Sequence, residues 1–283
     1  MTGQAVKGID HVVVVVPDIE AARIAYARLG FQVQPRGTHA RLGTANHLMI
    51  FADTYFELIG IVEPSAFNAE RRAWLARTGG GLANAALRTD DADIAHAAWT
   101  AAGLQPDPVL EFGRAVDIAG RTEQASFRTV RLGTQRAKLL GFLACEHRTP
   151  QFVYRPEWAT HANTVTGLVG ATVIASDPAT DEAYLRKVFG DAAVRRADTE
   201  LMVSSGGTPI RYMTRERFNS LYPGIAPPRA DDHPALLSFS VGDLARTRTT
   251  LGEAGVTYKA TPDGRMLVPP SSAAGVCIEF RKE

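Results

Sequence analysis

A histidine and a glutamate beside strongly apolar runs are the residues of this chain best suited to chemistry. His11 directly precedes five valines in GIDHVVVVVPD, and Glu57 lies inside TYFELIGI. In an extended strand Tyr55, Glu57 and Ile59 share one face, and a carboxylate among such apolar neighbours needs a partner, which a metal ion can be. Imidazole and carboxylate suit divalent Zn, Ni, Mn, Co or Fe. A core histidine that only forms hydrogen bonds is the competing interpretation of His11.

The elements that hold these residues recur four times along the chain. Each copy has an apolar strand, an aspartate, a helical pattern and a glycine, and three short strand patterns follow. The aspartate is expected to cap the helix N-terminus, and the glycine to adopt the left-handed conformation that ends the helix. These pairs are Asp18/Gly30, Asp91/Gly103, Asp177/Gly190 and Asp243/Gly255. The repeat predicts four β-α-β-β-β units, at residues 9–61, 82–148, 168–214 and 235–280.

One such unit exposes a sheet face that it cannot bury alone, so we expect the units to pair. Two pairs predict an α+β fold of two cup-shaped domains, each a mixed, mostly antiparallel sheet with helices outside. The expected boundaries are an N-terminal domain at residues 1–148, a connector at 149–166 and a C-terminal domain at 167–283. We expect each domain to hold a core of its own.

Composition narrows the possible partners. The chain of 283 residues is 45% hydrophobic and 22% charged with a net charge of +1, values typical of a soluble globular protein. It has no basic block of the kind that binds nucleic acid, and its apolar runs are too short to span a membrane. Cys145 and Cys277 form no CxxC pair, which is typical of a reducing compartment. We therefore expect a cytoplasmic monomer or homodimer that binds a small molecule, not nucleic acid or a membrane.

The repeat, with a histidine in an opening strand and a glutamate in a closing strand, resembles the vicinal oxygen chelate superfamily. Its members include glyoxalases, extradiol dioxygenases, epimerases and antibiotic-resistance proteins. The stretches IDHVVVVVPDIEAA, GTANHLMIF, TYFELIGI and CEHRTPQFVYRPEWATHAN resemble its glyoxalase-like branch. The resemblance covers nearly the whole chain and implies the glyoxalase/bleomycin-resistance/dioxygenase-like fold. It selects no reaction, because this fold hosts several unrelated chemistries.

The resemblance also implies a metal site with one opening-strand and one closing-strand ligand from each unit of a pair. Counting back seven residues from the helix-capping aspartates gives the opening-strand positions, which are His11, Asn84, Gly170 and Leu236. The closing strands offer Glu57, Glu146 and Glu279. We therefore expect His11, Glu57 and Glu146 to bind a divalent metal in the N-terminal cup, and the C-terminal cup to bind none. His147 would replace Glu146 as third ligand if the strand register were shifted by one residue.

Three polar residues of the N-terminal half are expected to contact the substrate, namely His39, Asn46 and Asn84. Strand parity places Asn46 on the face opposite His47, so only one of these two lines the cup. Turn formation is the competing explanation for His39 and Asn46. Arg71, in AERRAWLA, is interpreted as part of a solvent-facing helix surface. The sequence assigns no catalytic base.

These features favour a metal-dependent enzyme of the glyoxalase-like type, a lyase or isomerase that acts on a small oxygenated molecule. Its bound cation would stabilise an enolate-like charge as a Lewis acid. The alternative is a metal-free protein that binds and sequesters a small molecule, which Asn84 favours because a histidine is common at its position in the family. An extradiol dioxygenase needs two histidines and a carboxylate. In the family's two-domain members these ligands lie in the second domain. In this chain Gly170 and Leu236 occupy the corresponding positions, so the sequence does not favour a dioxygenase.

Overall fold

The computed structural model describes residues 5–132, 139–204 and 206–282, which form two eight-stranded sheets and six α-helices. The first sheet contains β1 (Ile9–Val16), β2 (Gly37–His39), β3 (Thr44–Ile50), β4 (Tyr55–Ile61), β5 (Gly81–Arg88), β6 (Leu110–Ile118), β7 (Arg121–Leu132) and β8 (Gly141–His147). The second contains β9 (Val165–Ile174), β10 (Val194–Ala197), β11 (Glu200–Val203), β12 (Ile210–Met213), β13 (His233–Val241), β14 (Lys259–Ala260), β15 (Met266–Val268) and β16 (Cys277–Lys282). The helices are α1 (Ile19–Arg28), α2 (Ala69–Thr78), α3 (Ala92–Ala101), α4 (Glu182–Phe189), α5 (Arg215–Leu221) and α6 (Leu244–Glu253). None of these helices is long and apolar enough to cross a membrane.

Both sheets have the same strand order. It is β2-β3-β4-β1-β5-β8-β7-β6 in the first and β10-β11-β12-β9-β13-β16-β15-β14 in the second. The opening strands of two units are antiparallel neighbours at the centre of each sheet, and each runs parallel to the closing strand of its own unit. The predicted α+β fold, four β-α-β-β-β units paired into two mixed-sheet cups, is confirmed.

The aspartates of the repeat begin the helices, as predicted. Asp18 accepts two backbone hydrogen bonds in the first turn of α1, at 3.0 and 2.9 Å. Asp91 and Asp243 cap α3 and α6 in the same way, whereas Asp177 caps a short 3-10 turn that leads into α4. The glycines that follow all have positive φ, which glycine adopts without strain, at Gly30, Gly103, Gly190 and Gly255.

The largest apolar cluster joins the two halves of the chain. It includes buried side chains of both sheets. Phe31 lies edge-to-face with Phe239, with 5.3 Å between ring centroids, and Trp99 Nε1 donates a hydrogen bond to the Val188 carbonyl at 3.1 Å. The two sheets therefore share an apolar layer. The domain boundaries, and the ability of each half to keep a core when separated, stay predictions.

The concave faces of the two sheets, here called the first and second cups, are covered differently. In the first cup β2 and β6 approach each other, so the sheet nearly closes on itself. There α2 covers a cavity of about 130 Å³, with Trp74 packed against apolar residues of β1. In the second cup the segment that contains α5 packs Phe218 and Tyr222 against the sheet. Only about 30 Å³ remains there.

Candidate functional site

The cavity of the first cup contains five of the six predicted site residues. These are His11, His39, Asn46, Glu57 and Asn84. Its apolar wall includes Val13, Leu48, Tyr55, Trp74, Phe112 and Phe127. Asn46 faces the cavity, whereas His47 lies on the other face of β3 and bonds to the Gln34 carbonyl. The cavity is thus a mostly apolar pocket with a few polar groups, the usual character of a small-molecule site.

His11 is held by Asp10 and Tyr55. Its Nδ1 lies 2.7 Å from Asp10 Oδ1, and its ring stacks on Tyr55 with 4.2 Å between centroids. Because a carboxylate accepts hydrogen bonds, the neutral ring carries its hydrogen on Nδ1 and presents a lone pair at Nε2. That Nε2 lies 3.8 Å from Glu57 Oε2 and 3.5 Å from the Tyr55 hydroxyl. His11 is thus oriented to act as a ligand or a base toward the cavity.

Asp10 accepts hydrogen bonds from four groups. Besides His11, these are His147 Nε2 at 2.9 Å, the Tyr154 hydroxyl at 2.7 Å and Arg88 Nε at 3.2 Å. Burial raises the pKa of this carboxyl, but the hydrogen bonds from His11 and His147 more than compensate and hold it well below its ordinary value. The pairing of β1 with β5 has a register shift between Ile9 and His11, at Asp10. Asp10 was not among the predicted site residues.

Glu57 is held by an amide rather than by a cation. Its Oε1 accepts a hydrogen bond from Asn46 Nδ2 at 2.6 Å. Asn46 Oδ1 is buried and has no hydrogen-bond partner among the described residues. A Cβ at Gly37 would clash with Asn46 Oδ1 and stand 3.0 Å from Arg114 Nη1. Because residue 37 is a glycine, the Arg114 side chain has room to approach Asn46, which is bonded to Glu57.

His39 is a neutral imidazole in this cavity. Its Nδ1 lies 3.2 Å from Thr44 Oγ1, and its ring packs edge-to-face on Phe112. Burial lowers the pKa of His39 to about 4; Glu57 opposes the shift, and the guanidinium groups of Arg114 and Arg71 add to it. His39 is therefore uncharged at neutral pH and can accept or donate one hydrogen bond to a ligand.

Strand pairing places Glu146 away from the other predicted ligands. Val13 pairs with Glu57, and the residue of β5 equivalent to Val13 is Ala86, which pairs with Leu143. The closing-strand position of the second unit is therefore Leu143. Glu146 lies three residues further along β8 and so on the opposite face.

The carboxylate of Glu146 is used outside the cup. It accepts hydrogen bonds from the Ala92 backbone N–H at 2.9 Å, Arg148 at 2.8 Å and Arg128 at 3.2 Å. Burial raises the pKa of Glu146, but these donors lower it by more, so the pKa lies below its ordinary value. Glu146 thus supports the start of α3 and does not face the cavity of the first cup. His147 does lie on the inner face, where it bonds to Asp10.

A second group of potential ligands lies beside the cavity of the first cup, around Asp10. Among the described residues, Asp10, His11, Cys145 and His147 place their ligand atoms within 4.8 Å of one another. This buried group could bind a metal ion. Burial raises the pKa of the Cys145 thiol well above its ordinary value, which opposes the thiolate that a metal requires. The oxygens of Asp10 are also already occupied by four donors.

Arg71 and Arg114 are site residues that the sequence did not reveal. Arg71 was interpreted as solvent-facing, but it is half-buried and lines the cavity from α2. Arg114 is 7% exposed and lines the cavity from β6. The only available signal was the alternation in LEFGRAV, which places Arg114 on the same face as Leu110 and Phe112.

Among the described residues, the second cup has no equivalent of the His11–Glu57 pair. Glu279 pairs with Ser238 across β16 and β13, so it stands where Glu57 stands in the first cup. Its carboxylate accepts hydrogen bonds from Ser238 and from Arg265, the latter at 2.8 Å. Gly170 and Leu236 occupy the opening-strand positions, and neither has a side chain that can ligate a metal.

A family model described as a glyoxalase-like domain matches residues 9–189, well over half of the chain. The chain belongs to the glyoxalase-like domain family. The resemblance to the vicinal oxygen chelate superfamily is thereby confirmed. A search of curated proteins finds no significant match to this glyoxalase-like protein.

Solved structures share its fold at low sequence identity. A hypothetical protein from Staphylococcus aureus is 10% identical with a TM-score of 0.67, over 97% of this chain and 99% of that one. A triple mutant of 4-hydroxymandelate synthase from Streptomyces coelicolor is 12% identical with a TM-score of 0.59, over 98% and 92%. A xylose isomerase-like TIM barrel/4-hydroxyphenylpyruvate dioxygenase fusion protein is 16% identical with a TM-score of 0.57, over 99% of this chain and 50% of that one. These similarities establish the fold, and the reaction must be argued from the site.

Proposed function

We propose that the first cup of this glyoxalase-like protein binds a small oxygenated molecule together with a divalent metal ion and catalyses a lyase- or isomerase-type reaction. The observation that carries the proposal is the pairing of His11 and Glu57. Their Nε2 and Oε2 atoms lie 3.8 Å apart, and both residues line the cavity of about 130 Å³. An imidazole nitrogen and a carboxylate oxygen are suitable ligands for Zn, Ni, Mn, Co or Fe.

The neighbours of this pair fit a metal site. Asp10 accepts the Nδ1 hydrogen of His11, the arrangement by which a carboxylate commonly orients a metal-binding imidazole. Asn46 holds Glu57 Oε1, so that Oε2 remains on the side of His11. When bound, the metal would supply Lewis-acid stabilisation of negative charge on a substrate oxygen.

Two further residues would contribute to proton transfer. Tyr55 has its hydroxyl beside His11 Nε2, and burial raises its pKa well above the ordinary value. Tyr55 therefore keeps its proton and can donate a hydrogen bond to a substrate oxygen. His39, neutral because burial lowers its pKa to about 4, offers a nitrogen that can accept one. Moving a proton at carbon is the step that isomerase and lyase reactions share, and it needs such positioned donors and acceptors.

A metal-free binding protein is the second candidate. Asn84 and Leu143 occupy the two remaining ligand positions of the first cup, so only two of the four carry strong metal ligands. A protein that sequesters a small molecule needs the cavity and no metal. This observation favours that function if the His11–Glu57 pair proves too weak to retain an ion.

Metal analysis distinguishes these functions. The full chain, purified without chelators or a polyhistidine tag, would be compared with His11→Ala, Glu57→Gln and Cys145→Ala by elemental mass spectrometry. We expect His11→Ala and Glu57→Gln to lose most of the metal with unchanged far-UV circular dichroism, and Cys145→Ala to retain it. Loss in Cys145→Ala but not in Glu57→Gln would place the metal in the Asp10–His147 group. A wild-type protein that neither retains nor takes up metal would leave the sequestering function.

A further inference from the structure

Two arginines line the cavity of the first cup without a hydrogen-bond acceptor among the described residues. Arg114, on β6, is 7% exposed, and Arg71, on α2, is half-buried. Neither forms a hydrogen bond or an ion pair with the residues that the structure describes. By contrast, Arg131, which also lines the cavity, is paired with Asp107 at 3.4 Å. A buried guanidinium without an acceptor loses hydrogen bonds that it had in water. An anionic ligand would restore them.

The guanidinium groups of Arg114 and Arg71 lie near the same part of the cavity. Both lower the pKa of His39, which lies on β2. Arg114 Nη1 approaches Gly37 next to Asn46 Oδ1, and Asn46 in turn bonds to Glu57. Both guanidinium groups attract the Glu57 carboxylate electrostatically without being hydrogen-bonded to it, so their N–H groups on this side of the cavity remain open to a ligand.

A bound metal would make the charge of the cavity wall net positive. Among the described residues, the wall has three guanidinium groups and two carboxylates, Glu57 and Glu70, and Arg131 is already ion-paired with Asp107. Arg71 and Arg114 therefore balance the two carboxylates, and a divalent metal at His11 and Glu57 would add positive charge. Because like charges repel strongly in a cavity of low dielectric, a bound anion is favoured when the metal is present.

The remaining wall limits the size and polarity of the ligand. Trp74, Phe112, Phe127 and Leu48 present apolar surface to the cavity. Its volume of about 130 Å³ is close to the roughly 150 Å³ of an apolar protein cavity that accepts benzene. The space therefore suits one aromatic ring or a branched chain of similar size.

We propose that Arg114 and Arg71 form a carboxylate-recognition site, and that the ligand of the first cup is a carboxylic acid with an apolar body of about one ring. The planar guanidinium matches a carboxylate through two parallel hydrogen bonds, which an ammonium group cannot reproduce. This assignment rests on the proposed function in taking the first cup as the small-molecule site. It requires no metal.

The test is a comparison of acids with their neutral amides. Benzoate, phenylacetate and isovalerate would be titrated against benzamide, phenylacetamide and isovaleramide by calorimetry, in buffer that contains EDTA. We expect the acids to bind about tenfold or more tightly than the amides. Arg114→Gln should weaken the acids by about tenfold to a hundredfold and leave the amides unchanged. Arg77→Gln, an exposed position on α2, is the matched control for Arg71→Gln and should have no effect.

Several results would overturn the assignment. These are equal binding of acids and amides, an equal loss of both in Arg114→Gln, and no binding by any acid. If Arg114→Gln does not fold, Arg71→Gln gives the same comparison at a less buried position. The binding assay contains EDTA, so it does not depend on a bound metal. If the protein binds acids but the separate metal analysis finds no metal, only the metal-dependent function is refuted. If the protein retains metal but binds no acid, only this assignment is refuted.

A thermal measurement separates a ligand-binding arginine from a structural one. Without ligand, Arg114→Met removes an unpaired buried charge from an apolar wall. We expect its Tm to equal or exceed that of the wild type, because the charge serves the ligand and not the fold. A lower Tm would assign Arg114 to the fold and count against the proposal.

Discussion

The two cups share a strand order and differ in the segment that follows the closing strand of each pair's first unit. After β4 this segment forms α2, which covers a cavity and turns Trp74 and Arg71 toward it. After β12 it forms α5, which packs Phe218 and Tyr222 against the concave face and leaves about 30 Å³. The difference between these two connecting segments accounts for the open cavity in the first cup and the filled face in the second.

The equivalent glutamates show the same contrast. Glu57 faces the cavity, with Asn46 on one oxygen and His11 near the other. Glu279 is almost fully buried and ion-paired with Arg265. Arg265 satisfies Glu279 through a direct ion pair, whereas Glu57 forms no ion pair with a guanidinium among the described residues and interacts with Arg71 and Arg114 only electrostatically.

The largest expected effect concerns the helices that cover the cups. Phe218 is fully buried, so Phe218→Ala should lower the free energy of unfolding by about 3–5 kcal/mol. Trp74 is only partly buried, so Trp74→Ala should cost less stability and instead weaken ligand binding in the first cup. Urea denaturation and calorimetry of both variants measure the two effects. If Trp74→Ala were as destabilising as Phe218→Ala, α2 would also be part of the core, and the contrast between the cups would fail.

The next effect is a pH dependence that comes from the first cup. Burial lowers the pKa of His39 from 6.5 to about 4. Below pH 6.5 the unfolded chain binds a proton at His39 that the folded protein does not, so stability is complete above that pH and falls as the pH drops to about 4. The loss attributable to His39 is about 3 kcal/mol.

The His39→Gln variant isolates this contribution. Its unfolding free energy should fall less steeply than that of the wild type between pH 6.5 and pH 4, measured by urea denaturation. His233, at the start of β13 in the second sheet, also has a pKa lowered by burial, which a backbone hydrogen bond to Asp231 opposes. His233→Gln is therefore the control, and we expect a smaller change in slope. Identical slopes for wild type and His39→Gln would contradict the assignment.

How much the sequence revealed depends on how local each feature is. The helix caps Asp18, Asp91 and Asp243 were predictable because an N-cap and its helix are neighbours in sequence. The placement of Glu146 was not, because it depends on the register between β5 and β8, and a shift by an odd number of residues reverses the face. The fold was therefore predictable from the repeat, and the set of residues that line the first cup only in part.

The residues that the sequence missed depend on long-range geometry. Asp10 adjoins His11 in sequence, but its three other partners, Arg88, His147 and Tyr154, are distant along the chain, and no local pattern indicates them. Arg71 faces the cavity because of the way α2 is seated on the cup, which the weak amphipathicity of AERRAWLA does not determine. Polar residues with non-local partners are thus the ones that sequence patterns conceal.

A smaller effect separates the two glutamates. Glu279→Gln leaves Arg265 without its carboxylate, and we expect it to lower the free energy of unfolding by about 2–3 kcal/mol, below the roughly 3–5 kcal/mol of a fully buried pair because Arg265 is partly exposed. Glu57→Gln should cost less, because a glutamine can still bond to Asn46. Chemical denaturation of both variants tests this. The reverse ranking would mean that Glu57 is the structural glutamate.

The smallest effect concerns the scaffold, where the two cups should be alike. Asp18 and Asp243 each accept two backbone hydrogen bonds at the start of a helix in equivalent units, at 2.8–3.0 Å. Asp18→Ala and Asp243→Ala should therefore each cost about 1 kcal/mol. Asp177 accepts one such bond, from Ala179, and caps a 3-10 turn, so Asp177→Ala should cost less. Thermal denaturation of the three variants checks this order. If the loss of stability caused by Asp18→Ala differed strongly from that caused by Asp243→Ala, the two halves would have diverged in their framework as well as in the segments that cover the cups.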